Sequence, residues 1–213
     1  MTARRKPVVG ARKQPRQARS AQLVDDILEA AIRVLVREGA RRFTTARVAE
    51  TAGISVGSLY QYFPNKEAIL FRLQTREWRQ TMDRLSAVLE DADTAPPTRL
   101  KTAVRLYFQS ECEEVAFRGA LEDAAPLYRE APEVQAHVEE GRRLMERFMD
   151  AALPQTAQPE RAFVASVVGN VMSAVGHRVS GQGYSEADID RFAAAVGEML
   201  CAYVEGCAAT GKA

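Results

Sequence analysis

Residues 44–66 contain the side chains of this sequence that are best suited to contact a nucleic acid. They are TTARVAETAGISVGSLYQYFPNK. Hydroxyl, amide and cationic groups can bind phosphate oxygens and base edges, and small residues let a helix approach a groove closely. Gln61 suits an adenine edge, and Tyr60 and Tyr62 suit phosphates. The full set of candidate contact residues is Thr44, Thr45, Arg47, Ser55, Val56, Gly57, Ser58, Tyr60, Gln61, Tyr62 and Lys66.

Two short helices joined by a tight turn are the elements that must position these side chains. In the second helix, Leu59 and Phe63 are four residues apart and predict an inward face, so Tyr60, Gln61 and Tyr62 are expected outside. The unit fits a helix-turn-helix, and the alternative is an ordinary helical hairpin with solvated polar residues. The expected capping and terminating residues are Thr44 or Thr45, Gly53, Ser55, Pro64 and Asn65.

The same stretch resembles a known family. AGISVGSLYQYFPNKEAIL, residues 52–70, is similar to the DNA-binding segment of the TetR family of bacterial transcriptional regulators. The resemblance implies an all-α fold, with an N-terminal three-helix helix-turn-helix DNA-binding domain and a C-terminal helical ligand-binding and dimerisation domain. Arg47 resembles a family position that often contacts DNA, and the alternative is a solvated arginine. The matching positions are Ala52, Gly53, Ser55, Gly57, Leu59, Tyr60, Phe63, Lys66, Glu67 and Leu70.

Charge is distributed unevenly along the chain. Residues 1–79 contain 16 Lys and Arg against 7 Asp and Glu, whereas residues 80–213 contain 13 against 21. A basic N-terminal third indicates that this part meets a polyanion. We predict a basic disordered arm at residues 1–22, a helix-turn-helix DNA-binding domain at 23–65, and a helical effector-binding and dimerisation domain at 66–213. The helix from about 21 to 38 is expected to support the DNA-binding helices.

The predicted arm has seven Lys and Arg and no acid in residues 1–22. Such a segment cannot bury enough apolar surface to order itself. One interpretation is that it follows the DNA backbone or enters the minor groove, which would add a salt-dependent contribution to affinity. A solvated tail is the alternative. A transit peptide is compositionally possible, but the segment lacks an amphipathic apolar stripe.

Three further helices are expected to enclose an apolar effector, at residues 66 to about 90, 98 to about 118 and 132 to about 153. Their apolar positions recur at helical spacing. Glu111 falls among aromatic residues, so it either reaches solvent, pairs with Arg118 or meets a ligand. Met145 and Met149 could line an adaptable pocket, and the alternative is that they pack in the core. The predicted pocket residues are Trp78, Met82, Tyr107, Phe108, Glu111, Cys112, Met145, Phe148 and Met149.

The last two predicted helices carry a pattern that favours association with a second copy of the chain. Small residues keep one side of the first helix narrow, and the second carries a long apolar stripe. With their twofold copies they would form a four-helix bundle, as the family resemblance implies; packing within the chain is the alternative. The predicted interface residues are Ala165, Gly169, Met172, Ser173, Phe192, Val196, Leu200 and Tyr203.

Several classes of site are not expected. Cys112, Cys201 and Cys207 form no CxxC pair, and neither histidine has a neighbour at metal-ligand spacing. We therefore expect no metal, no cofactor and reduced cysteines in a cytoplasmic protein. The longest apolar run, residues 162–176, is interrupted by polar residues and shorter than the ~20 residues of a membrane-spanning helix, so no membrane contact is expected.

The resulting functional prediction is a homodimeric repressor that binds double-stranded DNA at a palindromic operator and is released by an unknown, largely apolar small molecule. An activator would use the same DNA-binding unit. One alternative is a DNA-binding architectural factor without effector control. The other is a helical-bundle enzyme, for which the sequence offers no convergent nucleophile and base, metal motif or phosphate loop.

Overall fold

A computed structural model describes residues 18–113, 115–128 and 130–210. All regular secondary structure in these ranges is helical, which confirms the predicted all-α fold. A 3-10 turn, Ala125–Leu127, lies between α6 and α7. In chain order the α-helices are α1 (Ala18–Arg42), α2 (Thr45–Thr51), α3 (Val56–Tyr60), α4 (Lys66–Leu89), α5 (Pro96–Cys112), α6 (Val115–Ala124), α7 (Pro132–Ala152), α8 (Gln158–Ser180) and α9 (Glu186–Thr210).

The described residues form two compact units. The first contains the residues up to Trp78 together with Ala116–Ala136, and the second contains Arg79–Val115 and the residues from His137 onward. The first unit is therefore larger than residues 23–65, the segment that the sequence predicts as the DNA-binding domain. It also includes the first half of α4 and most of α6.

A continuous apolar core holds the first unit together. The inward positions of α1, among them Ile27, Val34 and Leu35, are completely buried. They pack in one cluster with Leu59 and Phe63, the two residues predicted to face inward from the helix-turn-helix. Fully burying a side chain of this size contributes about 1.5–3 kcal/mol, so this cluster anchors the short helices α2 and α3, which are too short to be stable alone.

Aromatic residues extend this core into α4 and the segment after α6. The rings of Phe71 and Tyr128 have centroids 5.7 Å apart, and the ring of Trp78 lies edge-on to Phe71 at 6.5 Å. Burial raises the pKa of Tyr128 far above its ordinary value, with the nearby carboxylate of Glu77 acting in the same direction. Tyr128 is therefore a neutral core residue.

The second unit is built around α5, which packs against α8 and α9. Gly176 permits a close approach between α5 and α8, because a Cβ atom there would lie 2.8 Å from Cε1 of Tyr107. Ion pairs also join α5 to α9: Arg105 donates two hydrogen bonds to Asp190, and Lys101 pairs with Glu198 at 2.7 Å.

Two predicted boundaries are wrong. Residues 18–22, assigned to the disordered arm, are helical and belong to α1; residues 1–17 lie outside the described residues. The helix predicted to continue to about residue 118 instead ends at Cys112, where Glu113 adopts an extended conformation. The carboxylates of Glu111 and Glu113 lie at the negative end of the helix dipole. This repulsion makes continuation of the helix less favourable, so it favours termination here.

Two helices of the described chain have the length and composition of a membrane span. The apolar windows of α8 and α9 have mean hydropathies of 1.2 and 1.3, contrary to the expectation that the apolar runs are too short. In each case 33% of the window is buried within the protein. Core helices of proteins in water pass the same test, so these values alone do not indicate a membrane protein.

Candidate functional site

Side-chain caps set the ends of the two short helices in the first unit. The Oγ1 atom of Thr44 accepts a hydrogen bond from the amide of Arg47 at 3.3 Å, so Thr44 is the cap of α2. Oγ of Ser55 accepts from the amide of Ser58 at 3.0 Å, at the start of α3. Oδ1 of Asn65 accepts from the amide of Ala68 at 2.7 Å, at the start of α4. The predicted caps are confirmed, and they define where each helix begins.

In the first unit, glycines occupy two positions at which the chain turns with a left-handed backbone. Gly39 has φ 74° and ends the long straight part of α1, as predicted. Gly53 has φ 69° and lies in the turn between α2 and α3. Side chains with a Cβ atom adopt this conformation at a cost of roughly 1 kcal/mol, so both turns favour glycine. The turn at Gly53 determines the angle at which α3 leaves α2.

The predicted contact residues of α3 divide into an exposed set and one buried exception. Tyr60 is 40% exposed, but Tyr62 is only 8% exposed and belongs to the apolar core. The prediction that Tyr62 lies outside is wrong, because α3 ends at Tyr60 and the chain turns before Pro64, which rotates Tyr62 inward. The other predicted residues from Ser55 to Gln61, namely Ser55, Val56, Gly57, Ser58, Tyr60 and Gln61, are exposed or half-buried.

A pair of hydroxyl groups joins the first turn of α2 to the last residue of α3. Oγ1 of Thr45 lies 3.2 Å from the hydroxyl of Tyr60. Each group has hydrogen-bonding capacity beyond this contact. Because one hydroxyl donates to the other, the pair leaves one O–H donor on the accessible side of the helix-turn-helix, which suits an oxygen ligand such as phosphate.

Arg47 is held by groups of α1. Its Nη1 atom forms an ion pair with Oε2 of Glu38 and donates a hydrogen bond to the carbonyl oxygen of Arg42 at 3.0 Å. Arg37 binds the other oxygen of Glu38 at 2.8 Å. The hydrogen bond from Arg37 lowers the pKa of Glu38, and the charge of Arg47 acts in the same direction against the opposing effect of burial. Glu38 is therefore a carboxylate at neutral pH.

The predicted pocket residues of the second unit lie close together but mostly fill its core. Seven of the nine belong to or pack against the same apolar cluster. Trp78 instead packs in the core of the first unit, and Glu111 lies half-buried near the end of α5. The seven residues are Met82, Tyr107, Phe108, Cys112, Met145, Phe148 and Met149.

One cavity of about 120 Å³ lies in the second unit. Of the predicted pocket residues, Phe148 contributes to its wall. The rest of the wall comes from the start of α5, the end of α7 and the C-terminal half of α9, and it includes Cys201 and Glu205. Burial raises the pKa of Cys201, which favours an unreactive thiol.

The predicted interface residues of α8 and α9 also divide into two sets. Gly169, Ser173, Phe192 and Tyr203 are exposed or half-buried, but Ala165, Met172, Val196 and Leu200 are buried in the core of their own unit. The accessible side of α9 instead carries an apolar stripe at spacings of three and four residues. This exposed stripe consists of Phe192, Ala195, Met199 and Ala202.

In the part of the chain that the structure describes, no three or more His, Cys, Asp or Glu residues come together as a metal site. All three cysteines lie in that part, and no disulfide joins them.

Comparison with known families matches both units. Residues 27–73 match "Bacterial regulatory proteins, tetR family". Residues 95–206, more than half of the chain, match "Tetracyclin repressor-like, C-terminal domain". The protein belongs to the TetR family. The TetR-family resemblance predicted from residues 52–70 is confirmed, and the chain is a DNA-binding regulator of transcription and not an enzyme.

Among relatives of this TetR-family protein, similarity in sequence is confined to part of the chain. The "Fatty acid metabolism regulator protein" of Bacillus subtilis is 32% identical over 69 residues, which span 32% of this chain and 36% of the relative. "Nucleoid occlusion factor SlmA" of Vibrio vulnificus is 32% identical over 102 residues, spanning 47% of this chain and 49% of the relative. The chain thus matches less than half the length of these curated relatives.

Solved structures of other bacterial regulators resemble the fold over most of the chain. The fatty acid degradation regulator FadR of Bacillus halodurans has a TM-score of 0.67 at 17% identity, with 88% of this chain and 97% of that chain covered. FadR of Bacillus subtilis, in complex with stearoyl-CoA, has a TM-score of 0.65 at 15% identity, with 83% and 97% covered. At these low sequence identities, the structural similarity establishes a shared fold.

Sequence reasoning missed two features of this TetR-family protein. The first is Glu38, whose partner Arg47 is nine residues away across a turn that helical periodicity does not describe. The second is the exposed apolar stripe of α9. Its spacing is visible in the sequence, but the same helix also carries the buried residues Val196 and Leu200, and periodicity alone does not say which apolar side faces the core.

Proposed function

We propose that the protein binds a palindromic operator as a homodimer and represses transcription until a small, largely apolar effector releases it. The observation that carries this proposal is the side-chain-capped helix-turn-helix with an exposed, acid-free face on α3. The proposed DNA contacts are made by the accessible residues of that face, by Thr44 and Thr45, and by Lys66 with the first amides of α4. We also propose that the regulator acts in the cytoplasm.

The side chains of α3 suit distinct parts of a DNA site. Gly57 and Ser58 permit a close approach, and a Cβ atom at Gly57 would meet only Oγ of Ser55, at 3.8 Å. The amide of Gln61 can bind N6 and N7 of an adenine, a contact that discriminates against other bases by about 1–3 kcal/mol. The hydroxyl pair of Thr45 and Tyr60 is proposed to bind a phosphate. Together these groups provide both positioning and base recognition.

A second copy of the chain is the proposed partner of α8 and α9. The exposed stripe of α9 repeats at the spacing of a helix-packing seam. Phe163 of α8 is another large apolar residue that is accessible in the described structure. Two subunits related by a dyad would place their recognition helices on half-sites about 34–36 Å apart, or a multiple of this distance. A twofold dimer of this kind would therefore require an operator with two inverted half-sites.

The effector is proposed to enter the second unit among the residues that pack around Phe108, Met145 and Met149. Methionine side chains adapt their shape readily, so this cluster can open around an apolar molecule at a lower cost than a core of branched residues. An effector releases DNA only if it binds the DNA-incompetent state more tightly. Because one structural neighbour holds stearoyl-CoA, a long-chain acyl-CoA is a reasonable first compound to test.

A DNA-binding architectural factor without effector control is the second candidate. The observation that favours it is the close packing of the predicted pocket, in which Phe108 and Met149 are completely buried. Relatives named as nucleoid occlusion factors match this chain over up to 102 residues. If the second candidate is correct, the protein binds DNA but no apolar compound changes its affinity.

Selection from random-sequence DNA tests the operator proposal. The purified full-length protein is incubated with a pool of random duplexes, and the bound fraction is amplified and sequenced over several rounds. We expect enrichment of an inverted repeat with half-sites about one helical turn, or a multiple of it, apart. Enrichment of no motif at all would overturn the proposal of sequence-specific binding. Release of the selected DNA by stearoyl-CoA, with coenzyme A as the control, would support effector control.

A further inference from the structure

Glu38 lies where α1 meets the helix-turn-helix, beside the left-handed turn at Gly39. Its side chain is only 15% exposed and is bound on both oxygens, by Arg37 on one side and by Arg47 on the other. Arg47 belongs to α2, so this carboxylate joins two helices of the first unit. A half-buried carboxylate in a basic DNA-binding unit is unfavourable for DNA binding unless it has a positive partner.

Arg47 is positioned by three contacts. The same Nη1 atom that pairs with Glu38 also donates to the carbonyl oxygen of Arg42 at 3.0 Å. The backbone amide of Arg47 donates to the cap Thr44 at 3.3 Å. The backbone amide and the guanidinium of Arg47 therefore both help to fix the first turn of α2. A guanidinium in this position has fewer donors left for a phosphate than a solvated arginine has.

We propose that Glu38 is a positioning residue that holds Arg47 away from the DNA phosphates and fixes the start of α2, so that affinity depends on the face of α3. This inference rests on the proposed operator binding. The consequence is greater specificity. Because Arg47 is paired with Glu38, each subunit has one cation fewer for the electrostatic attraction that is the same for every DNA sequence. The operator and unrelated DNA then differ more in affinity than they would with Arg47 released.

Salt dependence is the measurement that separates this role from a merely structural one. Each additional phosphate contact makes the slope of log K against log salt steeper by about 0.9. Replacing Glu38 by Gln is expected to release Arg47 for one phosphate contact per subunit, which steepens the slope by about 2 per dimer. Affinity for scrambled DNA is expected to rise more than affinity for the operator, so the ratio between them falls.

The experiment compares five variants of the full-length protein, among them Arg47→Ala, by fluorescence anisotropy on operator and scrambled duplexes from about 50 to about 300 mM salt, over which the Debye length falls by a factor of about 2.4. Glu38→Gln should steepen the slope, and Glu38→Asp should keep most of the wild-type slope. Glu50→Gln is the charge-matched control, because it removes an exposed acid of α2 itself. In the double variant Glu38→Gln, Arg47→Ala the slope should return to the wild-type value.

Three results would overturn the inference. One is an equal change in Glu38→Gln and Glu50→Gln, which would show a general charge effect. Another is a steeper slope that persists after Arg47 is removed. If Glu38→Gln does not fold, Arg47→Ala alone still decides, since we expect it to leave the slope unchanged, and a slope shallower by about 2 per dimer would show that Arg47 contacts phosphates. A wild-type protein that does not distinguish the two duplexes would instead contradict the proposed operator binding.

Discussion

The hydroxyl of Tyr60 and Oγ1 of Thr45 lie 3.2 Å apart, so the end of α3 is joined to the first turn of α2 by side chains that remain accessible. Because both groups are 15 residues apart in sequence, their positions depend on the turn at Gly53 and on the packing of Leu59.

Replacing Tyr60 by Phe is expected to weaken operator binding about fivefold to tenfold while the fold is retained. The loss corresponds to roughly one hydrogen bond, about 1 kcal/mol or slightly more. Tyr62→Phe is the matched control, because Tyr62 is buried in the core and should not contact DNA. Fluorescence anisotropy with the operator duplex measures both variants. Equal affinities for the two variants would remove Tyr60 from the interface.

Acidic substitutions on the exposed stripe of α9 are expected to produce folded monomers. Met199 is 52% exposed, and a carboxylate there would be buried without a partner in a dimer, which should raise the dissociation constant roughly a hundredfold. Met199→Asp is compared with Ala194→Asp, an equal charge change at an exposed position outside the stripe. Sedimentation velocity gives the oligomeric state. A dimeric Met199→Asp would place the interface elsewhere.

The neighbouring position, Leu200, is expected to respond differently because it is buried. Leu200 is 2% exposed and packs in the core of the second unit. Leu200→Asp should therefore unfold the unit, at a cost of several kcal/mol, and not simply separate two subunits. Circular dichroism distinguishes these outcomes. A stably folded monomer carrying Leu200→Asp would contradict this expectation and would support the sequence-based prediction that Leu200 lies in the dimer interface.

Arg99 is a buried cation whose loss should destabilise the second unit. Its Nη1 atom donates to the carbonyl oxygen of Leu89 at 2.8 Å, and its guanidinium lies 5.4 Å from the ring centroid of Phe148. Arg99→Ala leaves that carbonyl without its donor and removes the packed aliphatic stem, so we expect a loss of about 2–4 kcal/mol in urea unfolding. A change below about 0.5 kcal/mol would show that the burial of Arg99 has no net stabilising role.

His137 should make stability depend on pH in the range below neutrality. Burial lowers its pKa in the folded protein, against a smaller opposing effect of Glu140. Because the unfolded chain then binds the proton more tightly, the contribution is fully present above the ordinary value of about 6.5 and is lost as pH falls through the folded pKa. Unfolding free energies at pH 7.5 and 5.5 should differ more in the wild type than in His137→Gln. An equal difference would exclude this contribution.

The ends of the helices were predictable wherever a residue has a backbone preference of its own. Gly39 and Gly53 adopt the expected left-handed conformation, and Ser55 and Asn65 cap the expected helices. These preferences act locally, so they can be recognised without knowledge of the fold. They were sufficient to predict the helix-turn-helix and to place the exposed residues of α3.

The orientation of individual side chains was less predictable where two faces of an element are apolar. Tyr62 follows the last residue of α3, and its direction depends on a turn whose angle the sequence does not determine. In α9 both Met199 and Leu200 are apolar, and only the packing of α5 against this helix decides which is buried. The partners of Arg47 depend on tertiary contacts for the same reason. Candidate interface residues therefore required the structure.

The most direct test of the central proposal is fluorescence anisotropy of the purified protein with the DNA upstream of its own gene, in the presence of scrambled competitor DNA at moderate salt. We expect saturable binding that survives the competitor, with affinity at least a thousandfold or so above that for unrelated DNA. Replacing Gln61 by Ala in the same assay should reduce this ratio. Equal affinity for the upstream and scrambled duplexes would contradict sequence-specific binding at this site. If the duplexes obtained by selection also bind no more tightly than scrambled DNA, sequence-specific binding is contradicted altogether.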